Sequence, residues 1–181
     1  MTFLPMTTLD NLGPEASAAV ARRLASDDSP IGALESTLLA NLPSFAAHLQ
    51  WYALRDEIAP WIGERAVSLF SYAISDENAS EVCALHFRKI LVDSGDDPDR
   101  PEVTETEQLL IDWGRLIVRS PHAIADEFYD RLEAAFSPER RLTLLAFAGQ
   151  MIAANLIATV GRVPLDAALA SYRKPGNRPS V

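Results

Sequence analysis

Apolar positions recur along most of this chain at helical spacing, and no β-branched run alternates apolar and polar residues over the length of a strand. The first pattern lines one face of a helix, the second would line one face of a sheet. Helices are therefore predicted throughout. Ala16–Ala25 is rich in strong helix formers and stops at the Ser29-Pro30 break. A second helix is predicted over Gly32–Leu42, and Pro43 opens a third that runs to about Ile58. Pro60 suits a first helical turn, so a new helix is predicted from there through Glu64, Val67, Phe70 and Ala73. Asn78, with Glu81 three positions on, reads as the N-cap of a helix reaching Val92, which the polar stretch DSGDDPDRP ends. Thr104 and Glu107 form a capping box ahead of LLIDWGRLIVRS, and Pro121 closes that helix before HAIADEFYDRLEAAF begins another. Ser137-Pro138 caps a long helix, Val163-Pro164-Leu165 starts a short last one, and residues 173–181 are expected to fray.

The fold class expected is all-α, a bundle of antiparallel helices in one domain over 1–181. Leu142 to Gly161 is twenty residues without a charge, long enough to span a membrane. It carries Thr143, Gln150, Asn155 and Thr159 and has no companion span, so burial in a core or against a second copy is expected instead. Sixteen Lys and Arg against 25 Asp and Glu give a net charge of −9, which repels phosphate backbones and argues against nucleic acid as partner. Nothing at the start reads as a secretion signal, and one cysteine cannot form an internal disulfide, so a cytoplasmic location is expected.

That cysteine carries the candidate chemistry. With Asn78 as N-cap, Ser80, Cys83, His86 and Phe87 share one helix stripe. The positive helix end and a neighbouring imidazole would both favour a thiolate at Cys83, while Glu77 and Glu81 oppose it. The competing reading is a small buried residue, since VCALHF surrounds the thiol with apolar neighbours.

From YALRDEIAPWIGERAVSLF through NASEVCALHFRKIL to LTLLAFAGQMIAANLIATVGRVPLD, about residues 50–172, the chain resembles the carboxymuconolactone decarboxylase / alkylhydroperoxidase D-like family. The resemblance leaves 1–45 as an N-terminal helical extension. It implies a helical bundle assembling as a dimer, trimer or hexamer. For the peroxidase branch it implies a C-x-x-C motif followed by histidine, an upstream proton-relay glutamate, and a thiol or dihydrolipoyl electron donor. The second motif cysteine falls on Cys83, the first on Ser80 and the family histidine on Phe87. His86 stands one position early, rotated by about 100°, and Glu64 is the counterpart of the upstream acid. A serine cannot close a disulfide, so the redox cycle would use one cysteine and an external thiol. The decarboxylase branch, acting on a small carboxylated lactone, needs no cysteine.

Three functions follow: a single-cysteine peroxidase using Cys83 with His86 or Glu64 as proton partner, a non-redox decarboxylase-type enzyme, or a catalytically silent oligomeric scaffold or small-molecule binder. His48, His86 and His122 have no helical metal-ligand spacing, and no nucleotide-binding motif occurs, so neither metal nor other cofactor is expected. Trp51, Tyr52, Trp61 and Phe70 read as core or as the wall of a pocket near the cysteine, and Asn155 as a buried amide in need of a partner.

Overall fold

A computed structural model describes residues 2–174, and all regular structure among them is helical. Eight α-helices follow in order: α1 (Pro14–Ser26), α2 (Ala33–Leu38), α3 (Leu42–Ile62), α4 (Glu64–Glu77), α5 (Glu81–Asp93), α6 (Glu105–Arg119), α7 (Asp126–Ala135) and α8 (Pro138–Val160). Short 3₁₀ turns occupy Leu9–Asn11 and Ala167–Tyr172. The tail expected to fray lies, from Pro175 on, outside the described residues.

α4 is the centre. Ten consecutive residues, Ala66–Ser75, are buried, because α5 and α6 pack on it from two sides and α3 and α8 from others. Phe70, Ile74, Leu110, Leu144 and Phe147 are fully buried around it, each contributing roughly 1.5–3 kcal/mol of burial. α6 comes unusually near at Gly114, where a Cβ would meet Ile74 Cγ1 at 3.0 Å and Phe70 Cδ2 at 3.1 Å.

The caps on α6 and α8 form as the sequence implies. Thr104 accepts from the Glu107 amide while Glu107 accepts from the Thr104 amide, and Ser137 accepts from Arg140. Five boundaries differ. α2 stops at Leu38 rather than Leu42, because Asn41 caps α3 by accepting from the Ser44 amide. Pro60 does not open a helix but sits in the last turn of α3, where the helix runs on to Ile62. The break falls at Gly63, whose φ of +90° is a conformation that glycine adopts without strain. Asn78 ends α4 rather than capping α5. Ala79 turns the chain at φ 52°, and Ser80 becomes the N-cap, which moves Cys83 into the first turn of α5. α7 begins at Asp126, leaving His122 in an exposed loop, and the last short helix is the 3₁₀ turn after Asp166.

α8 buries one side only. Leu144, Phe147, Ala148, Met151, Ala154 and Asn155 face the bundle, while Leu142 (69% exposed), Leu145 (49%), Leu156 (58%) and Val160 (62%) face outward. It is long and apolar enough to cross a membrane by length and composition. Asn155 finds a partner in the bundle, accepting from Ser75 Oγ at 3.1 Å.

Candidate functional site

Two helices bring their polar residues to one place by the same arithmetic. On α3, His48, Trp51 and Tyr52 are three and four residues apart and share a face. On α5, Cys83, His86 and Phe87 do the same. α3 also packs along α8, and the two α5 and α3 faces meet over Met151 and Ala154 of α8 to enclose a cavity of about 110 Å³. The N-terminal end of α2 and the Asp166–Leu169 segment close it. Arg88 anchors that segment to α5, donating from Nε to the Tyr172 carbonyl at 2.7 Å.

The wall is mostly apolar: Leu34, Trp51, Val82, Phe87, Met151, Ala154 and Leu169. The Trp51 ring lies 5.9 Å from Phe87 and 5.6 Å from Phe147, which fixes it between cavity and core. Trp61 and Phe70, by contrast, belong to the core.

An ion pair forms the polar floor. Arg23 Nε donates to Glu35 at 2.7 Å and Nη2 to its other oxygen at 3.1 Å, in the two-pronged geometry that favours arginine. The remaining guanidinium protons go to the Asp27 and Ser29 carbonyls and to Ser29 Oγ, at 2.7, 2.8 and 2.9 Å. All five donors are spent within the protein. Glu35 is saturated too, accepting also from Tyr52 Oη at 3.1 Å and from the Gly32 amide at 3.4 Å. Burial and the neighbouring Glu35 carboxylate push the Tyr52 hydroxyl well above its ordinary range, so it remains a donor.

The two imidazoles are differently placed. Among the described residues neither His48 nor His86 has a hydrogen-bond partner. His86 keeps an exposed surface, His48 a partial one, and both line the cavity. The enclosing protein lowers the pKa of each. Glu35 pulls both back upward, with Asp27 and Asp166 also acting on His86, but desolvation by the surrounding protein outweighs it. Each ring is therefore neutral near pH 7 and carries one donor and one acceptor, the equipment of a general acid or base. Asp166 places both carboxylate oxygens 3.2 Å from the Ala33 amide, capping α2 from across the cavity rim.

Of the residues singled out from sequence, Cys83 and His86 do share the cavity. The Cys83 thiol is 6% exposed, set among Ala33, Ala154, Ala158 and Val163. Burial pushes it up to about 11, with the nearby Ser80 hydroxyl pulling weakly the other way. Ser80 is buried but absent from the lining, its Oγ without a well-formed hydrogen bond. Glu64 is not part of the site: it is the first residue of α4, exposed, and absent from the lining. The carboxylates that share the cavity with Cys83 are Glu35 and Asp166. Among the described residues no group of three His, Cys, Asp or Glu is arranged to hold a metal ion.

No protein-family model, no curated protein and no solved structure matches the chain.

Proposed function

We propose that this chain is a non-redox acid–base enzyme that moves protons on a small molecule held between α3 and α5. The observation that carries the reading is the pair of imidazoles, His48 and His86, both held neutral and without protein partners, opening onto one apolar cavity. The Arg23–Glu35–Tyr52 cluster is the rigid support beneath them. This is the chemistry of the decarboxylase branch of the alkylhydroperoxidase D-like family, and we read the α4-centred bundle as a divergent form of that fold.

The single-cysteine peroxidase is the second reading. One observation favours it: Cys83 lines the same cavity. Its burial and a pKa near 11 leave almost no thiolate at neutral pH, and Glu64 stands elsewhere, so the histidines support acid–base work better than the thiol supports redox work.

We further propose a homo-oligomer built on the outer face of α8. No charge interrupts that face between Leu142 and Val160, and Ala146, Gly149 and Ala153 let a second helix approach closely. An uncharged face with small residues is complementary to itself, so the occupant is a second copy.

The deciding experiment follows proton exchange by NMR in deuterated buffer over a panel of small lactones and enolisable ketones. Exchange should depend on the protein and fall at least a hundredfold in both His48→Gln and His86→Gln, with Cys83→Ser little changed. Exchange that survives both histidine substitutions, or that disappears with Cys83, overturns the reading.

A further inference from the structure

The cavity contains one cation, and that cation has nothing left to give. Arg23 is the only lysine or arginine in the lining among the described residues, and its five N–H groups are all bonded inside the protein at 2.7–3.1 Å. A ligand carboxylate or phosphate would have to displace Glu35 or a backbone carbonyl to reach it, leaving a buried acceptor unpaired. Asp166 adds the opposite charge: it caps one amide and has lone pairs to spare at the rim. An anion entering the site thus meets a carboxylate and no free cation.

What the lining does offer is different. Trp51, Phe87 and Met151 present flat and polarisable apolar surface, suited to the faces and edge of a ring. The two imidazoles provide a neutral donor and a neutral acceptor, and Asp166 a strong acceptor. The volume, about 110 Å³, is below that of the apolar cavity of about 150 Å³ that holds benzene, so no more than one ring fits inside and its polar substituent stays at the open rim beside Asp166.

We infer that the cavity takes an uncharged single-ring molecule bearing a hydroxyl or N–H donor, phenol being the simplest member of the class, and refuses carboxylates of the same size. The inference rests on the acid–base reading for its site but narrows it. The carboxylate that the family resemblance implies for the substrate is the group this lining does not accommodate.

The test compares phenol, benzoate and benzylamine at pH 7.5 on the full-length protein, by titration of tryptophan fluorescence and by ligand-observed NMR. Phenol should bind at least tenfold more tightly than benzoate, and more tightly than benzylamine. Asp166→Asn retains an oxygen to cap α2 and should improve benzoate binding several-fold with little change for phenol. Benzoate binding as well as phenol overturns the inference, and benzylamine binding best replaces an uncharged ligand with a cationic one and overturns it too. If Asp166→Asn fails to fold, the three-ligand comparison on the unaltered protein decides alone. The underlying reading fails separately: a protein that prefers phenol but catalyses no proton exchange loses its assigned chemistry and keeps its ligand class. A protein that exchanges protons only on carboxylated lactones keeps its chemistry and loses the ligand class.

Discussion

Replacing Arg23 with methionine tests the foundation of the site. The two side chains of the Arg23–Glu35 pair are 2% and 8% exposed and approach to 2.7 Å. At that separation their attraction is about 6 kcal/mol for an effective dielectric constant of about 20, before any desolvation is charged against it. Methionine keeps the apolar stem but leaves Glu35 buried, with only Tyr52 Oη and the Gly32 amide as donors. Removing one partner of a buried pair costs roughly 3–5 kcal/mol, whereas replacing both by apolar residues is often close to neutral. For a protein of this length each kcal/mol lowers Tm by about 2–4 °C, so Arg23→Met should melt roughly 6–20 °C early. Arg23→Met/Glu35→Met should regain most of that loss. Calorimetry and urea titration of the four proteins in the double-mutant cycle give the coupling directly. A single substitution costing under about 1 kcal/mol, or a double variant no better than the single, would refute a buried and mutually dependent pair.

Other consequences are quicker to check. Iodoacetamide at pH 8 should label native Cys83 at least a hundredfold more slowly than a free thiol, since its pKa near 11 stands well above the ordinary value of about 8.5. Labelling at the free-thiol rate, followed by mass spectrometry, would revive the redox reading. His48 and His86 have folded-state pKa values below the unfolded value of about 6.5, so the unfolded chain binds more protons as the pH drops. Their contribution to stability is complete above about pH 6.5 and is lost as the pH falls from there through the depressed values. Urea midpoints for the His48→Gln/His86→Gln protein should accordingly vary less between pH 7 and 5 than those of the parent, and an equal slope would contradict imidazoles held neutral by the fold. Leu145→Glu and Leu156→Glu each place a charge on the outer face of α8 and should yield monomers in analytical ultracentrifugation. If the parent is itself a monomer, that face is not self-associating.

Much of the fold could be read from local signals because those signals act locally. The Thr104–Glu107 box and the Ser137-Pro138 start need only four residues each to satisfy their amides, and both appear as written. Pro60 misled because proline at a first turn and proline in a last turn look alike. Gly63, three residues on, decides where the chain turns. Asn78 and Ser80 are both good caps, and the left-handed turn at Ala79 settles which is used. In the site, the Cys83–His86–Phe87 face was visible from spacing. The His48–Trp51–Tyr52 face had the same spacing but sat among apolar residues, so Trp51 and Tyr52 read as core or as a pocket wall, and spacing alone does not choose between the two. Arg23 and Glu35 left no trace, because they lie on different helices and only tertiary packing makes one the partner of the other. Glu64, named by the resemblance, and Glu35, not singled out at all, both stand in the first turn of a helix. What separates them is burial, which no short stretch of sequence records.

The cavity is assembled from distant parts of the chain. Its first contributor is Arg23 and its last is Leu169, and the cap on α2 comes from Asp166, 133 positions after the amide it holds. A nascent chain emerging from the ribosome thus exposes the Arg23–Glu35 floor long before α8 and the Asp166–Leu169 segment can close over it. The cavity cannot be complete before Leu169 has been made. A chain stalled or cleaved before Ala154 has imidazoles and floor but no enclosure, so occupancy of the cavity by a ring-sized ligand reports completed synthesis and folding more sharply than helix content does.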